Sequence, residues 1–235
     1  MGNSEIDWSN VKRILVVKLR SIGDTVLATP SLIALRRFVP NAQIDILLED
    51  WVAPLIEGHD AIDNVISVGK SSPERLKVAQ QLRRQNYDVA FNLHGGTTAT
   101  FFTAASRAKH RVGFADYQYS FLYNHLLSSA SDFWKSEFTH SAEQQLALIG
   151  FVGVPVEDRP KTRLVVNEKV AAQVRTACVS GRNEAKGFAL IHPASAFVTK
   201  QWPTESFAKT AEFLVAKSLN VFAVAGKNET AILDK

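Results

Sequence analysis

The sequence predicts an α/β fold built on a parallel sheet, because short apolar runs alternate with stretches of helical periodicity. The apolar runs predict strands at residues 14–19, 44–48, 64–68, 89–93 and 111–114. The segments between and after them predict helices at residues 25–38, 51–57, 73–86, 98–107 and 140–151. Strands that alternate with helices form βαβ units, in which the paired strands run parallel.

Two segments depart from this alternation. Pro30 lies inside the first helical stretch and predicts a kink or a restart there. Residues 115–139 are rich in aromatic side chains and show little periodicity. We interpret them as an irregular, lid-like surface segment, and the alternative is a loop packed by its own aromatic rings.

A polar stretch at residues 157–161, which contains Pro160, indicates a linker. After it the pattern begins again, with helices at 167–179 and 204–218 and strands at 187–192 and 221–225. We therefore expect one domain over residues 1–160 and a second over residues 161–235. A doubly wound sheet needs more strands than the second region supplies, so we expect that domain to be incomplete.

Composition sets limits on function. The chain has 235 residues, of which 46% are hydrophobic and 21% charged, as in ordinary globular proteins. Its one cysteine, Cys178, excludes a disulfide within the chain and a metal site made of several cysteines. The net charge of +4 suits anionic partners, although a solvated basic surface explains it equally well. No secretory signal and no membrane-spanning run is expected.

The first chemical motif follows the first strand, where Arg20, Ser21, Ile22, Gly23 and Asp24 precede a helix. Ligands of open α/β sheets bind at the carboxyl ends of the strands. Glycine allows close approach of the backbone to a ligand, and a carboxylate is favoured near a helix N-terminus. Asp24 is therefore a candidate ligand-facing residue, and the alternative is a helix cap.

The second motif follows the strand that ends at His192. Hydroxyl groups of Ser195 and Thr199 precede Lys200 and a further helix, which is a plausible phosphate site. The segment matches neither a Walker A loop nor the glycine fingerprint of dinucleotide-binding domains. The alternative to a phosphate site is a solvent-exposed Lys200 that binds nothing, next to a turn that His192 stabilises.

Together the motifs resemble glycosyltransferase family 9, the heptosyltransferases of bacterial lipopolysaccharide core synthesis. The resemblance rests on the stretches at 18–30, 92–95, 111–114 and 192–203 and on His140 ahead of Glu143, and it extends over residues 13–226. It implies a GT-B fold, with a Rossmann-like N-terminal domain that binds the acceptor. The start of a second Rossmann-like domain would bind a nucleotide-sugar.

The resemblance also implies roles for single residues. Asp24 matches the general base of an inverting, metal-independent transfer that uses no cofactor. The implied donor-binding residues are Ser195, Ala196, Thr199 and Lys200. The implied acceptor-binding residues are Arg20, Ser21, Gly23, His94, Arg111 and His140.

The expected partners are a nucleotide-sugar, with ADP-heptose as the first choice, and an anionic glycolipid acceptor; no nucleic acid is expected. The expected location is the cytoplasm, with peripheral contact to the inner membrane. Family members continue beyond the end of this chain, so we expect a truncated donor site and impaired transfer.

Three alternatives remain open: a non-catalytic acceptor-binding module, a transferase for another nucleotide-sugar, and a Rossmann oxidoreductase or nucleotide-binding regulator. The oxidoreductase lacks the glycine-rich turn it would need.

Overall fold

The chain divides into two compact units, Met1–Val165 and Val166–Lys235. The computed structural model describes residues 5–179, 187–195, 197–226 and 229–233. The boundary expected from the sequence, at residues 160 and 161, lies shortly before this division. Of the candidate site residues, Ala196 lies outside the described residues.

The first unit is built on a six-stranded parallel sheet. Its strands are β1 (Arg13–Val17), β2 (Gln43–Glu49), β3 (Asn64–Val68), β4 (Val89–Asn92), β5 (His110–Phe114) and β6 (His125–Leu127). They lie in the order β3-β2-β1-β4-β5-β6. The chain therefore builds outward from β1 in one direction and then crosses back to β4, which makes the β1–β4 junction the switch point of the sheet.

Helices cover both faces of this sheet. They are α1 (Ile22–Val26), α2 (Thr29–Phe38), α3 (Ser72–Arg84), α4 (Gly96–Ala105), α5 (Ala130–Trp134) and α6 (Ser141–Gly150). Because successive strand residues point to opposite faces, Ile14 and Val16 join one apolar cluster, with residues of α2 and α6. Leu15 and Val17 join the other, with residues of α3 and α4.

The structure confirms the interruption near Pro30 and corrects one prediction further along the chain. Helix α1 ends at Val26 and α2 begins at Thr29, so Pro30 occupies the first turn, where no N–H donor is needed. The helix predicted at 51–57 is wrong, since only a 3-10 turn forms at Ala53–Leu55. Gly58, with a φ of +76°, follows that turn in a left-handed conformation and prevents its extension.

The segment at 115–139 is more regular than expected. It contains β6, which is the edge strand of the sheet, and the short helix α5. Each is too short to produce a periodic pattern, and β6 forms because its backbone pairs with β5. The interpretation of the whole segment as irregular is therefore wrong.

The second unit contains α7 (Glu168–Val179), β7 (Gly187–Ile191), α8 (Thr204–Ala216) and β8 (Leu219–Ala223). Strands β7 and β8 pair in parallel through α8, which confirms a βαβ unit. The second strand begins at Leu219, earlier than the predicted residue 221. In the part of the chain that the structure describes, no helix is long and apolar enough to cross a membrane.

Candidate functional site

A cavity of about 470 Å³ opens in the first unit at the carboxyl edge of the sheet. Lys18, His94, Phe114 and Ser128 line it, and they follow or end β1, β4, β5 and β6. Asp24 belongs to the same lining. The cavity therefore lies at the switch point, which is the usual ligand site of an open α/β sheet.

Asp24 lies in the first turn of α1 with its side chain half-buried. The hydroxyl of Ser21 donates a hydrogen bond to Asp24 Oδ2 at 3.0 Å, which leaves Oδ1 available. The N-cap position belongs to Ser21, so the reading of Asp24 as the cap is not supported. A Cβ at Gly23 would meet no atom within 4 Å, so the space beside this motif is open.

Lys18 is a site residue that the sequence analysis did not single out. Its side chain is 5% exposed, and Nζ donates to the carbonyl oxygen of Leu93 at 3.0 Å. Burial lowers the pKa of Lys18, and the Asp24 carboxylate acts in the opposite direction. The sequence did contain a signal for it: Lys18 is a charged residue at the end of an otherwise apolar strand. A lysine that is buried in such a position needs a polar partner.

His94 lies on a turn between β4 and α4 that is held by Asn92. Backbone N–H groups of His94 and Gly95 donate to Asn92 Oδ1 at 3.0 and 2.9 Å. Gly95 and Gly96 have φ values of +73° and +71°, a conformation that favours glycine. Burial lowers the pKa of His94, and the charges of Lys18 and Arg20 lower it further, so its imidazole is neutral at pH 7.

A second group of polar side chains lines the cavity from β6, α5 and the start of α6. We call it the polar wall, and it consists of Ser128, Ser131, Thr139, Ser141 and Gln145. None of these residues carries a formal charge, and none was among the sequence candidates. They come from three separate segments, two of which lie at the short elements β6 and α5 that the sequence did not predict, so only the folded arrangement brings them to the cavity.

Several acceptor candidates lie elsewhere in the first unit. Arg20 is exposed and lies outside the lining of the cavity, although its charge acts on His94. His140 caps α6, because its Nδ1 accepts from the backbone N–H of Ala142 at 3.2 Å. It also lines a separate cavity with Leu27 and Arg159.

Arg111 is the candidate that the structure separates most clearly from Asp24. It lies near the amino end of β5, whereas the cavity lies at the carboxyl end. Its guanidinium donates to the carbonyl oxygens of Leu122 and Ala108 at 2.7 and 2.6 Å. These bonds show that Arg111 stabilises the neighbouring loops. The resemblance placed Arg111 in one acceptor site near Asp24, and the fold does not bring the two residues together.

The donor candidates lie in the second unit, after β7. The backbone N–H of Phe197 donates to the hydroxyl of Ser195 at 3.4 Å. Thr199 and Lys200 are exposed, and Lys200 Nζ lies 5.5 Å from the ring centre of Phe197. His192 Nδ1 donates to the carbonyl oxygen of Val224 at 2.8 Å, which supports its role in holding the turn.

Within the described ranges, no group of three or more His, Cys, Asp or Glu side chains is arranged to hold a metal ion.

Comparison with known proteins gives consistent matches. The sequence profile of glycosyltransferase family 9 (heptosyltransferase) matches residues 75–235. Lipooligosaccharide heptosyltransferase 2 of Haemophilus ducreyi is 26% identical, over 95% of this chain and 66% of the relative. Lipopolysaccharide heptosyltransferase 3 of Escherichia coli is 22% identical, over 88% of this chain and 61% of the relative. The chain thus spans slightly less than two thirds of these curated relatives.

Solved structures agree on the fold. The family 9 glycosyltransferase of Veillonella parvula superposes with a TM-score of 0.78 at 20% identity, covering 95% of this chain and 66% of that one. ADP-heptose heptosyltransferase II of Escherichia coli superposes with a TM-score of 0.77 at 20% identity, and the match covers 94% of this chain and 67% of that one. These similarities confirm the α/β fold of the GT-B type that the sequence resemblance implied.

Proposed function

Since the chain belongs to glycosyltransferase family 9, we propose that it transfers a heptose from a nucleotide-sugar to a lipopolysaccharide core acceptor. The observation that carries the proposal is Asp24, held by Ser21 in the cavity at the switch point of the sheet. The curated relatives named above are heptosyltransferases, which supports heptose as the transferred sugar.

The proposed mechanism is an inverting displacement with Asp24 as general base. An acceptor hydroxyl gives its proton to Asp24 Oδ1 while its oxygen attacks the anomeric carbon of the donor sugar. The bond from that carbon to the nucleoside diphosphate breaks on the opposite face, so the anomeric configuration inverts. Ser21 keeps Oδ2 occupied, which directs the free oxygen of the carboxylate to the substrate.

Neighbouring groups have distinct parts in this proposal. Lys18 lies buried close enough to Asp24 for the two charges to interact: burial lowers the pKa of Lys18, and the Asp24 carboxylate opposes that effect. His94, as a neutral imidazole, offers a hydrogen bond to the acceptor. In the second unit, Ser195 and Lys200 are proposed to contact the donor diphosphate, where the lysine offsets the charge of the leaving group without a metal ion.

ADP-heptose is the donor that we propose, since one solved relative is described as an ADP-heptose heptosyltransferase. We also propose a cytoplasmic location with peripheral contact to the inner membrane, where a glycolipid acceptor is presented. Phe121 and Phe138, which are 78% and 83% exposed, support such contact.

The test is a transfer assay in which mass spectrometry detects the acceptor gaining one heptose. Asp24→Asn is expected to slow transfer about 10²-fold or more, because the amide cannot take the proton. Asp50→Asn is the matched control, since Asp50 is exposed and its Oδ1 accepts from the Trp51 N–H, a bond that asparagine can keep.

Undiminished transfer by Asp24→Asn would contradict the assigned base. Binding of a core glycolipid with no detectable binding of any nucleotide would instead favour a non-catalytic acceptor-binding module. Transfer from a different nucleotide-sugar, with none from ADP-heptose, would replace the proposed donor.

A further inference from the structure

The cavity that contains Asp24 has a lining that is polar but carries few charges. The charged lining residues are Lys18, Asp24 and Asp116, and the polar wall is neutral throughout. His94 adds no charge at pH 7, because burial and nearby cations lower its pKa. The formal charge of the described lining is therefore negative, with one cation against two carboxylates.

Lys18 is the one lysine or arginine of the cavity lining in the described residues. Its Nζ donates to the carbonyl oxygen of Leu93, and its charge is also within reach of the Asp24 carboxylate. Arg20 is exposed and outside the lining. An anionic group that entered the cavity would therefore meet two carboxylates, Asp24 and Asp116, against the single lining cation Lys18, which disfavours it.

The polar wall offers hydrogen bonds that a neutral sugar can use. In the described part of the chain, the hydroxyls of Ser128, Ser131 and Ser141 make no hydrogen bond. Each hydroxyl can both donate and accept, as sugar hydroxyls do. The wall can thus exchange hydrogen bonds with several ring hydroxyls at once.

Gln145 borders the cavity but is itself buried. The residue is 6% exposed, and its Nε2 donates to the carbonyl oxygen of Ser141 at 3.4 Å. Its Oε1 is buried and has no hydrogen-bond partner among the described residues. Because this oxygen is shielded from solvent, the contacts proposed for a sugar rest on the serine hydroxyls of the wall.

Aromatic rings complete the cavity at the end of β5. Phe114 and Tyr117 pack edge to face with ring centres 5.6 Å apart, and both line the cavity. The Tyr117 hydroxyl donates to the backbone oxygen of Asn92 at 3.2 Å, which fixes the ring. Such rings offer an apolar surface to the C–H face of a sugar.

We propose that this cavity binds the reacting sugar of the acceptor, and that this sugar is a neutral polyhydroxylated ring without carboxylate or phosphate. The inference rests on the proposed transfer reaction and deepens it. Anionic groups that the acceptor carries on other sugars then lie outside the cavity.

The test compares three core oligosaccharides by calorimetric titration of the chain. The first ends in a neutral heptose, the second carries a phosphate on that heptose, and the third ends in a sugar acid. We expect the neutral terminus to bind at least about tenfold more tightly than either anionic one, from the like charges in the cavity.

Single substitutions assign the preference to the cavity. Asp116→Asn should strengthen binding of the two anionic oligosaccharides severalfold and leave binding of the neutral oligosaccharide unchanged. Ser131→Ala should weaken binding of the neutral terminus about fivefold, because one hydrogen bond to the sugar is lost. Ser67→Ala is the control, since Ser67 is exposed on β3 and outside the cavity lining.

Each other outcome overturns the inference. Equal or tighter binding of an anionic terminus excludes a neutral-sugar site, and the transfer assay shows separately whether the proposed function stands. If none of the oligosaccharides binds, the inference fails as well. If ADP-heptose binds and Ser131→Ala weakens it, while the oligosaccharides do not compete, the cavity belongs to the donor sugar instead.

Discussion

Asn92 shows how one polar residue at the end of a buried strand organises the site. Its Oδ1 accepts from the turn that carries His94, and its Nδ2 donates to the Tyr123 hydroxyl at 2.7 Å. That hydroxyl donates in turn to Thr100 Oγ1 at 2.9 Å. A buried network of this kind is rigid when every member is paired, and costly when one member is lost.

Tyr123→Phe tests this network. The substitution leaves the Asn92 amide with an unpaired buried donor, so the free energy of unfolding should fall by about 1–3 kcal/mol. Urea denaturation measures this change. Tyr119→Phe is the matched control, because Tyr119 is 49% exposed, and it should change stability by less than about 0.5 kcal/mol. Equal effects of the two substitutions would contradict the network.

At the scale of elements, the short edge strand β6 is attached to β5 by a pair of histidines as well as by the backbone. His110 Nδ1 and His125 Nε2 lie 2.9 Å apart, so one ring donates to the other and only one proton occupies the contact. Burial lowers the pKa of both rings; Lys109 lowers that of His110 further, and His110 lowers that of His125.

The histidine pair predicts a pH-dependent stability. In the unfolded chain these histidines take up protons near pH 6.5, whereas in the folded chain they do so only at lower pH. The unfolded state therefore binds more protons as the pH falls, and stability that is complete above pH 6.5 is lost below it. Each histidine contributes up to about 1.4 kcal/mol per pH unit.

Urea denaturation between pH 8 and pH 5 checks this prediction. The double substitution His110→Gln and His125→Gln should flatten the slope, though not abolish it, because the pKa values of His59 and His94 are also lowered. Ser67→Ala, at an exposed position of β3, removes no ionisable group and should keep the full slope. If the double variant kept the full slope, the pH dependence could not be attributed to His110 and His125.

At the scale of the whole molecule, the two units differ in how they bury apolar side chains. The first unit has two apolar clusters, one on each face of its sheet. In the described part of the second unit, Phe188, Leu190 and Phe213 are 73%, 62% and 61% exposed. Stability should therefore depend on apolar contacts far more in the first unit than in the second.

A pair of leucine substitutions tests this difference. Leu148→Ala, at a fully buried position of α6, should lower the free energy of unfolding by about 2–5 kcal/mol. Leu190→Ala, on the exposed face of β7, should cost less than about 1 kcal/mol. Denaturation curves give both values, and a larger cost at Leu190 than at Leu148 would show that this face is covered in solution.

The sequence by itself determined the features that depend on near neighbours along the chain. Apolar runs and helical periodicity gave most strands and helices, and Pro30 marked the break between α1 and α2. Asp24 was found because it directly follows the first strand, where strand geometry places it at the ligand-binding edge.

Only the tertiary structure decided which distant residues meet. The order of six parallel strands is set by long-range backbone pairing, which leaves no local pattern. That order brings Lys18, His94 and the polar wall to one cavity with Asp24, and it leaves Arg111 at the opposite end of β5. For the same reason β6 was missed, since a strand of three residues exists only through its neighbour.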